Sequence, residues 1–188
     1  KIAELGNEQI KFSLNLLVEN IRQLRVQEHQ IQEQLKVLTE NDKMFELLQT
    51  IPGVGPMTAW MMIALVDDVS RFKNAKEFAS YVGLVPSIHA SANVRHMGRI
   101  TRSGSEMLRR YLIHGARAWL RYSAEKSQDP NRLWAERLEK RGKEKNKVVV
   151  GLAHRLARIA FAVLRDNKPY DAKSRYKQNQ AANESSAA

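Results

Sequence analysis

Apolar residues recur at spacings of four and three from residue 10 to residue 38. Ile10, Leu14, Leu17, Ile21, Leu24, Ile31, Leu35 and Leu38 form the series, and Glu28 interrupts it on the same stripe. A seven-residue repeat of this kind predicts a long helix with an a/d seam, in which one polar residue fixes register or oligomer state. A second apolar pattern follows in shorter blocks. Leu47-Leu48 closes one helix and Trp60 to Val66 fills another. Phe78, Tyr81 and Val82 mark a third, started by Asn74 with Glu77 and stopped by Gly83. Leu108, Leu112 and Trp119 belong to a long helix that runs to about Glu125, with Ser103-Gly104-Ser105-Glu106 as its capping box and Ser103 as the cap. Asp129-Pro130 opens a shorter helix through Leu133, Trp134 and Leu138, and Gly142 breaks it. Leu152, Leu156, Ile159 and Val163 share one face of a last helix, Val148 to Arg165, which Lys168-Pro169 stops. The segment from Gly83 to Arg102 has no clear period and reads as a loop with room for a short hairpin.

These elements define an all-α fold: a long N-terminal coiled-coil helix, then a compact helical domain. Residues 1–44 are read as the oligomerisation helix, 45–172 as the helical domain, and the polar residues 173–188 as a disordered tail. Each half of the pattern has a simpler alternative. The heptad helix could pack on its own domain, and the glycine turn described next could be an αα-hairpin used only for packing.

Ile51-Pro52-Gly53-Val54-Gly55-Pro56 joins two of the predicted helices. Two glycines around a small apolar residue permit a tight inter-helix turn, and the helix after it starts with free N–H groups that suit a phosphate. The pattern resembles a helix-hairpin-helix, with Gly53 and Gly55 presenting backbone N–H groups to DNA. No strand or third glycine accompanies it, so it is not a dinucleotide fingerprint.

Charge gives this turn a partner. The chain of 188 residues has 31 Lys and Arg against 20 Asp and Glu, a formal +11. Nucleic acid is the commonest partner of so basic a protein, and an anionic membrane surface is the plainer competitor. No stretch approaches the ~20 apolar residues of a spanning helix. Cysteine is absent, which removes disulfides, thiolate metal sites and a cysteine nucleophile. No secretory signal is evident, so the expected compartment is the cytoplasm, with association to the nucleoid. The first residues already lie within a helical pattern, which suggests part of a longer protein.

Positive charge concentrates between Ser91 and Tyr122. Arg95, Arg99, Arg102, Arg109, Arg110, Arg117 and Arg121 occur there with no lysine and one acid, Glu106. Arginine presents a planar fork suited to phosphate, so Arg95, Arg99, Arg102, Arg109 and Arg110 are the nucleic-acid-binding candidates. A solvated basic face is the ordinary alternative. Four serines lie near the cluster. Ser103 and Ser105 belong to a helix start, Ser87 follows a proline, and Ser91 has no evident structural duty. A cationic setting stabilises an alkoxide, and His89 and His96 flank Ser91 as potential bases. Most loop serines only form turns, and the residues alone leave both readings open. Asp67-Asp68 is the one close carboxylate pair, better explained as a polar turn. The histidines show no metal-ligand spacing, and no metal site is predicted in this chain.

Five segments occur in order: "IPGVGPMTA", "FASYVGLVP", "HASANVR", "GRITRSGSEMLRR" and "NKVVVGLAHRLARIAFAVLRDNKPYD". Together they resemble the C-terminal transposase domain of the insertion-sequence transposases related to the Piv/MooV DNA invertases, a group that includes bridge-RNA-guided recombinases. The resemblance covers residues 45–172. It implies a DNA transposase or recombinase in which Ser91, in the loop after the "GL-x-P" turn, is the nucleophile for DNA strand cleavage and exchange. It also implies an N-terminal RuvC-like domain, outside this chain, whose acidic residues bind Mg²⁺. Partners implied are DNA, a guide RNA in some members, and further copies of the chain. On this reading the chain alone binds nucleic acid and is catalytically inert. Ala92 stands where family members usually have glycine after the serine, and the Ser91 to Val94-Arg95 spacing is one residue shorter. The alternative is a non-catalytic helix-hairpin-helix nucleic-acid-binding module. A third reading is a coiled-coil assembly protein with incidental charge.

Overall fold

The computed structural model describes residues 2–91, 94–122 and 129–172. The expected disordered tail, and the end of the helix expected to reach Glu125, lie outside these residues. Seven α-helices and one two-stranded sheet are present among those described, so the fold is all-α with a single hairpin. The chain divides into two compact units, Lys1–Asp42 and Lys43–Ala188.

The first unit is helix α1, Ile2–Leu38. Its heptad residues stand open: Ile10, Leu14, Leu17, Ile21, Leu24, Ile31 and Leu38 are all exposed, Leu24 by 63%. Pairs three residues apart, such as Lys11 with Glu8 and Arg22 with Glu19, decorate its surface. Exposed pairs of this kind contribute only a few tenths of a kcal/mol.

In the second unit, α2 (Lys43–Gln49), α3 (Pro56–Val66), α4 (Ala75–Tyr81), α5 (Glu106–Tyr122) and α6 (Pro130–Lys140) assemble with α7 (Lys145–Asp166). Helix α7 is the centre: α2, α4, α5 and α6 all pack on it, and α3 packs on α2 and α5. Its buried Ala153, Ala157 and Ala160 let neighbours approach, and Leu152, Leu156, Ile159, Phe161 and Val163 fill the spaces between them. Phe161 meets Phe78 of α4, which stands edge-on to Phe72. Burying large side chains of this kind contributes about 1.5–3 kcal/mol each.

Several helix ends follow the sequence closely. Asn74 Oδ1 accepts from the Lys76 and Glu77 amides, and Glu77 Oε2 accepts from the Lys73 amide. Asp129 Oδ1 accepts from the Asn131 and Arg132 amides. Gly83 takes φ +74°, and the Leu84 amide reaches back to the Ala79 carbonyl, closing α4. The start of α5 differs from expectation. Arg102 and Gly104 have φ +56° and +90°, which breaks helical geometry before Glu106. The cap is therefore Ser105, whose Oγ accepts from the Leu108 amide, and not Ser103.

Candidate nucleic-acid interface

The aperiodic stretch is a β-hairpin. Strand β1 (Pro86–Ser91) pairs antiparallel with β2 (Val94–Ile100). Ser91 stands opposite Val94, His89 opposite His96 and Ala90 opposite Arg95; a register shift lies between Pro86 and Ile88. Ser91 is thus the last residue of β1, about 17 Å along the strand from Pro86 at ~3.4 Å per residue.

The base of this arm is clamped. The Thr101 amide donates to the Val85 carbonyl and the Arg102 amide to the Gly83 carbonyl. A Cβ on Gly104 would fall on the Tyr81 carbonyl oxygen, and one on Gly83 on the Ser103 carbonyl oxygen. Arg109 completes the clasp. It is only 8% exposed, and Nη1 donates to the Val82 carbonyl at 3.1 Å. That engagement departs from its expected role as a phosphate ligand: the guanidinium ties the start of α5 to the end of α4. Arg99 near the end of β2 and Arg102 just after it are exposed beside the same base, and Arg110 is exposed on α5. Arg95 is on β2, four residues before Arg99.

The glycine turn has two unlike members. Gly53 has φ +83°, and a Cβ there would lie 2.5 Å from the Gly115 carbonyl oxygen, so backbone meets backbone where the turn crosses α5. Gly55 has nothing within 4 Å of an added Cβ and is exposed. It is the N-cap of α3, where no side chain caps the helix and Pro56 follows. The first turn therefore has N–H groups that no side chain caps, at the positive end of the helix dipole.

Asp67 and Asp68 act locally. Asp68 caps the 3-10 turn Val69–Arg71, and hydrogen bonds from Ser70 hold its carboxyl below the usual range. Among the described residues, no group of three or more His, Asp or Glu side chains could hold a metal ion. No described helix is long and apolar enough to cross a membrane.

One basic surface was missed in the sequence. Lys147, His154, Arg155 and Arg158 line a cavity of about 640 Å³ between α7, Trp134 of α6 and the hairpin base. Their spacing of seven, one and three residues was the available signal, but the apolar face of α7 drew the reading to the core. Burial, then Arg158 and Arg155, push the His154 imidazole below its ordinary pKa.

Comparison with known proteins gives the setting. The family described as "Transposase IS116/IS110/IS902 family" matches residues 45–130, which hold the glycine turn, the hairpin and α5. A transposase for insertion sequence element IS1111A from Coxiella burnetii is 38% identical over 140 residues, 74% of this chain and 38% of the relative. A pilin gene-inverting protein from Moraxella lacunata is 33% identical over 147 residues, 77% of this chain and 44% of the relative. A probable family 20 transposase from Pseudomonas aeruginosa is 32% identical over 151 residues, 80% of this chain and 44% of the relative. The chain thus spans about two-fifths of the length of these relatives. With the hairpin and its clamped base inside the matched segment, the chain belongs to the IS116/IS110/IS902 family of transposases.

Proposed function

We propose that this chain is the serine-bearing part of a DNA transposase or recombinase. The observation that carries the reading is the position of Ser91 at the end of β1, on an arm whose clamped base is flanked by the exposed Arg99 and Arg102, inside the segment that matches the family. A nucleophile on such an arm would be positioned by the clamped base for attack on a second macromolecule.

In the proposed step, Ser91 Oγ attacks a DNA phosphorus. The Oγ–P bond forms as the P–O3′ bond breaks, leaving a phosphoserine link and a free 3′-hydroxyl for strand exchange. The serine proton passes to a base, for which His89 and His96 are the nearest candidates along the strands, and the leaving 3′-oxygen takes up a proton. Arg95, Arg99 and Arg102 offset charge on the phosphoryl oxygens. Mg²⁺ would belong to acidic residues of a RuvC-like domain outside this chain and would supply further charge neutralisation there. Gly55 and the uncapped start of α3, with Gly53 shaping the turn, hold a backbone phosphate, and Arg110 adds positive charge from α5. Self-association through α1 would bring serines from different copies onto one substrate, and a guide RNA is a further proposed partner.

The test uses the intact parent protein, with its guide RNA if it has one, Mg²⁺ and a nicked suicide DNA substrate. A protease-sensitive protein–DNA adduct is expected in the wild type and absent in Ser91→Ala. Persistence of the adduct in Ser91→Ala moves the chemistry to another residue. The chain alone is expected to bind DNA without cleaving it. A second reading, a non-catalytic helix-hairpin-helix binding module, draws on the uncapped α3 start and predicts binding with no adduct in any variant.

A further inference from the structure

The cavity on the outer side of α7 has no part in that reading. Its lining includes Lys147, His154, Arg155 and Arg158, with Trp134, Pro86 and Ile100 as apolar walls. No carboxylate lines it among the described residues. The nearest acids in sequence are already paired, Glu136 with Arg132 at 2.8 Å and Glu144 with Lys147 at 3.3 Å.

This wall is built, not incidental. The Arg155 guanidinium lies over the Trp134 ring, 4.1 Å from its centroid, and Nη1 donates to Asn131 Oδ1 at 3.1 Å. Asn131 is itself buried, and its Nδ2 donates to the Tyr170 hydroxyl, which donates to Asp129 Oδ2. Gly151 lets the Trp134 ring close on α7, since a Cβ there would lie 2.8 Å from Cη2. One cation of the wall is thereby fixed in place before any ligand arrives, which lowers the entropic cost of binding. Lys147 lies in the first turn of α7, whose N-cap Glu144 makes no side-chain cap, so the positive end of the helix dipole adds to the same field.

We infer that this groove seats the backbone of a nucleic-acid strand, with Lys147, Arg155 and Arg158 facing successive phosphates and His154 between them. The inference rests on nucleic acid being the ligand of this chain, and adds a second contact surface to the hairpin and glycine turn. Length favours a strand over a free phosphate. Lys147 and Arg158 stand about three turns apart, some 16 Å along the helix at 1.5 Å per residue, which is the span of several phosphates.

The experiment follows the His154 imidazole by NMR in the full chain, titrated with a single-stranded oligonucleotide, a duplex and inorganic phosphate in turn. Phosphates seated beside His154 favour its charged form, so its pKa is expected to rise with nucleic acid. Arg158→Gln with Lys147→Gln, both exposed side chains, should weaken oligonucleotide binding about tenfold. The double variant should also lower the salt slope by about 1.4 for single strands. Arg137→Gln with Lys140→Gln removes the same charge from the exposed part of α6 and should do less on both counts. A His154 shift with inorganic phosphate but no binding of either nucleic acid would overturn the strand assignment and the nucleic-acid reading together. Oligonucleotide binding with no His154 shift, or equal losses in the two double variants, would overturn this site and leave the nucleic-acid reading standing.

Discussion

Helices α1 and α7 are both amphipathic, yet one leaves its apolar stripe in solvent and the other loses it completely into the core. In α1 the stripe from Ile10 to Leu38 is made of large residues, with charged neighbours on both sides. In α7 large residues alternate with Ala153, Ala157 and Ala160, all fully buried. Small residues let several helices approach one helix from different sides, whereas a uniform large a/d stripe suits one partner of the same kind. Periodicity therefore establishes that both segments are helices, and side-chain size along the stripe indicates what covers them.

The largest expected effect tests the buried side of this contrast. Leu156→Ala in α7 should cost about 2–5 kcal/mol, because the surrounding helices only partly close the cavity. Leu24→Ala in α1 should cost the second unit less than about 0.5 kcal/mol. All three tryptophans, Trp60, Trp119 and Trp134, lie in the second unit, so denaturation followed by tryptophan fluorescence reports that unit. Equal losses would erase the distinction between the two helices.

The exposed side is tested by charge. If α1 pairs copies of the chain, Leu17→Glu with Leu24→Glu should convert the assembly to monomers in sedimentation, with the tryptophan-reported midpoint unchanged. An oligomer that survives both substitutions would assign assembly to another surface. A monomeric wild type would remove self-pairing as the use of the stripe.

A smaller effect concerns α5, which covers α7 and carries the clasp. Ser105→Ala should cost about 1 kcal/mol as the loss of a helix cap, and Ser103→Ala less than about 0.5 kcal/mol. The reverse order would restore the helix start expected from the sequence.

That start also illustrates what the sequence made legible. Asn74, Asp129 and Gly83 mark helix ends through local hydrogen bonding, which a short window of residues contains. Ser103 and Ser105 compete for the same role, and the choice depends on positive φ at Arg102 and Gly104, where Gly104 packs on Tyr81. The hairpin was legible only as an option within the loop. Ala90, Ser91 and Gly98 lack strand propensity, and the pairing is anchored at its base by contacts to Gly83 and Val85. Arg109 looked like its neighbour Arg110, but one position along the helix turns it from solvent into the clasp. The cavity on α7 was legible only in part: Lys147, His154, Arg155 and Arg158 share one helix, but Trp134 and the hairpin base that complete it come from other elements.

The mildest prediction separates the two faces of α7 by pH. Protonating His154 is opposed in the folded chain by burial and by the charges of Arg158 and Arg155, so its folded pKa lies below the unfolded value of 6.5. Unfolded chains then bind more protons than folded ones between those two values, and stability rises with pH across that window. The contribution is fully present above about pH 6.5, declines as pH falls towards the folded pKa, and is constant below it. His154→Gln should flatten this part of the stability profile measured by thermal unfolding from about pH 5 to 8, while Leu156→Ala should lower the profile without changing its shape. Parallel profiles for wild type and His154→Gln would mean that the imidazole titrates alike in both states, and that the basic wall of α7 does not press on it.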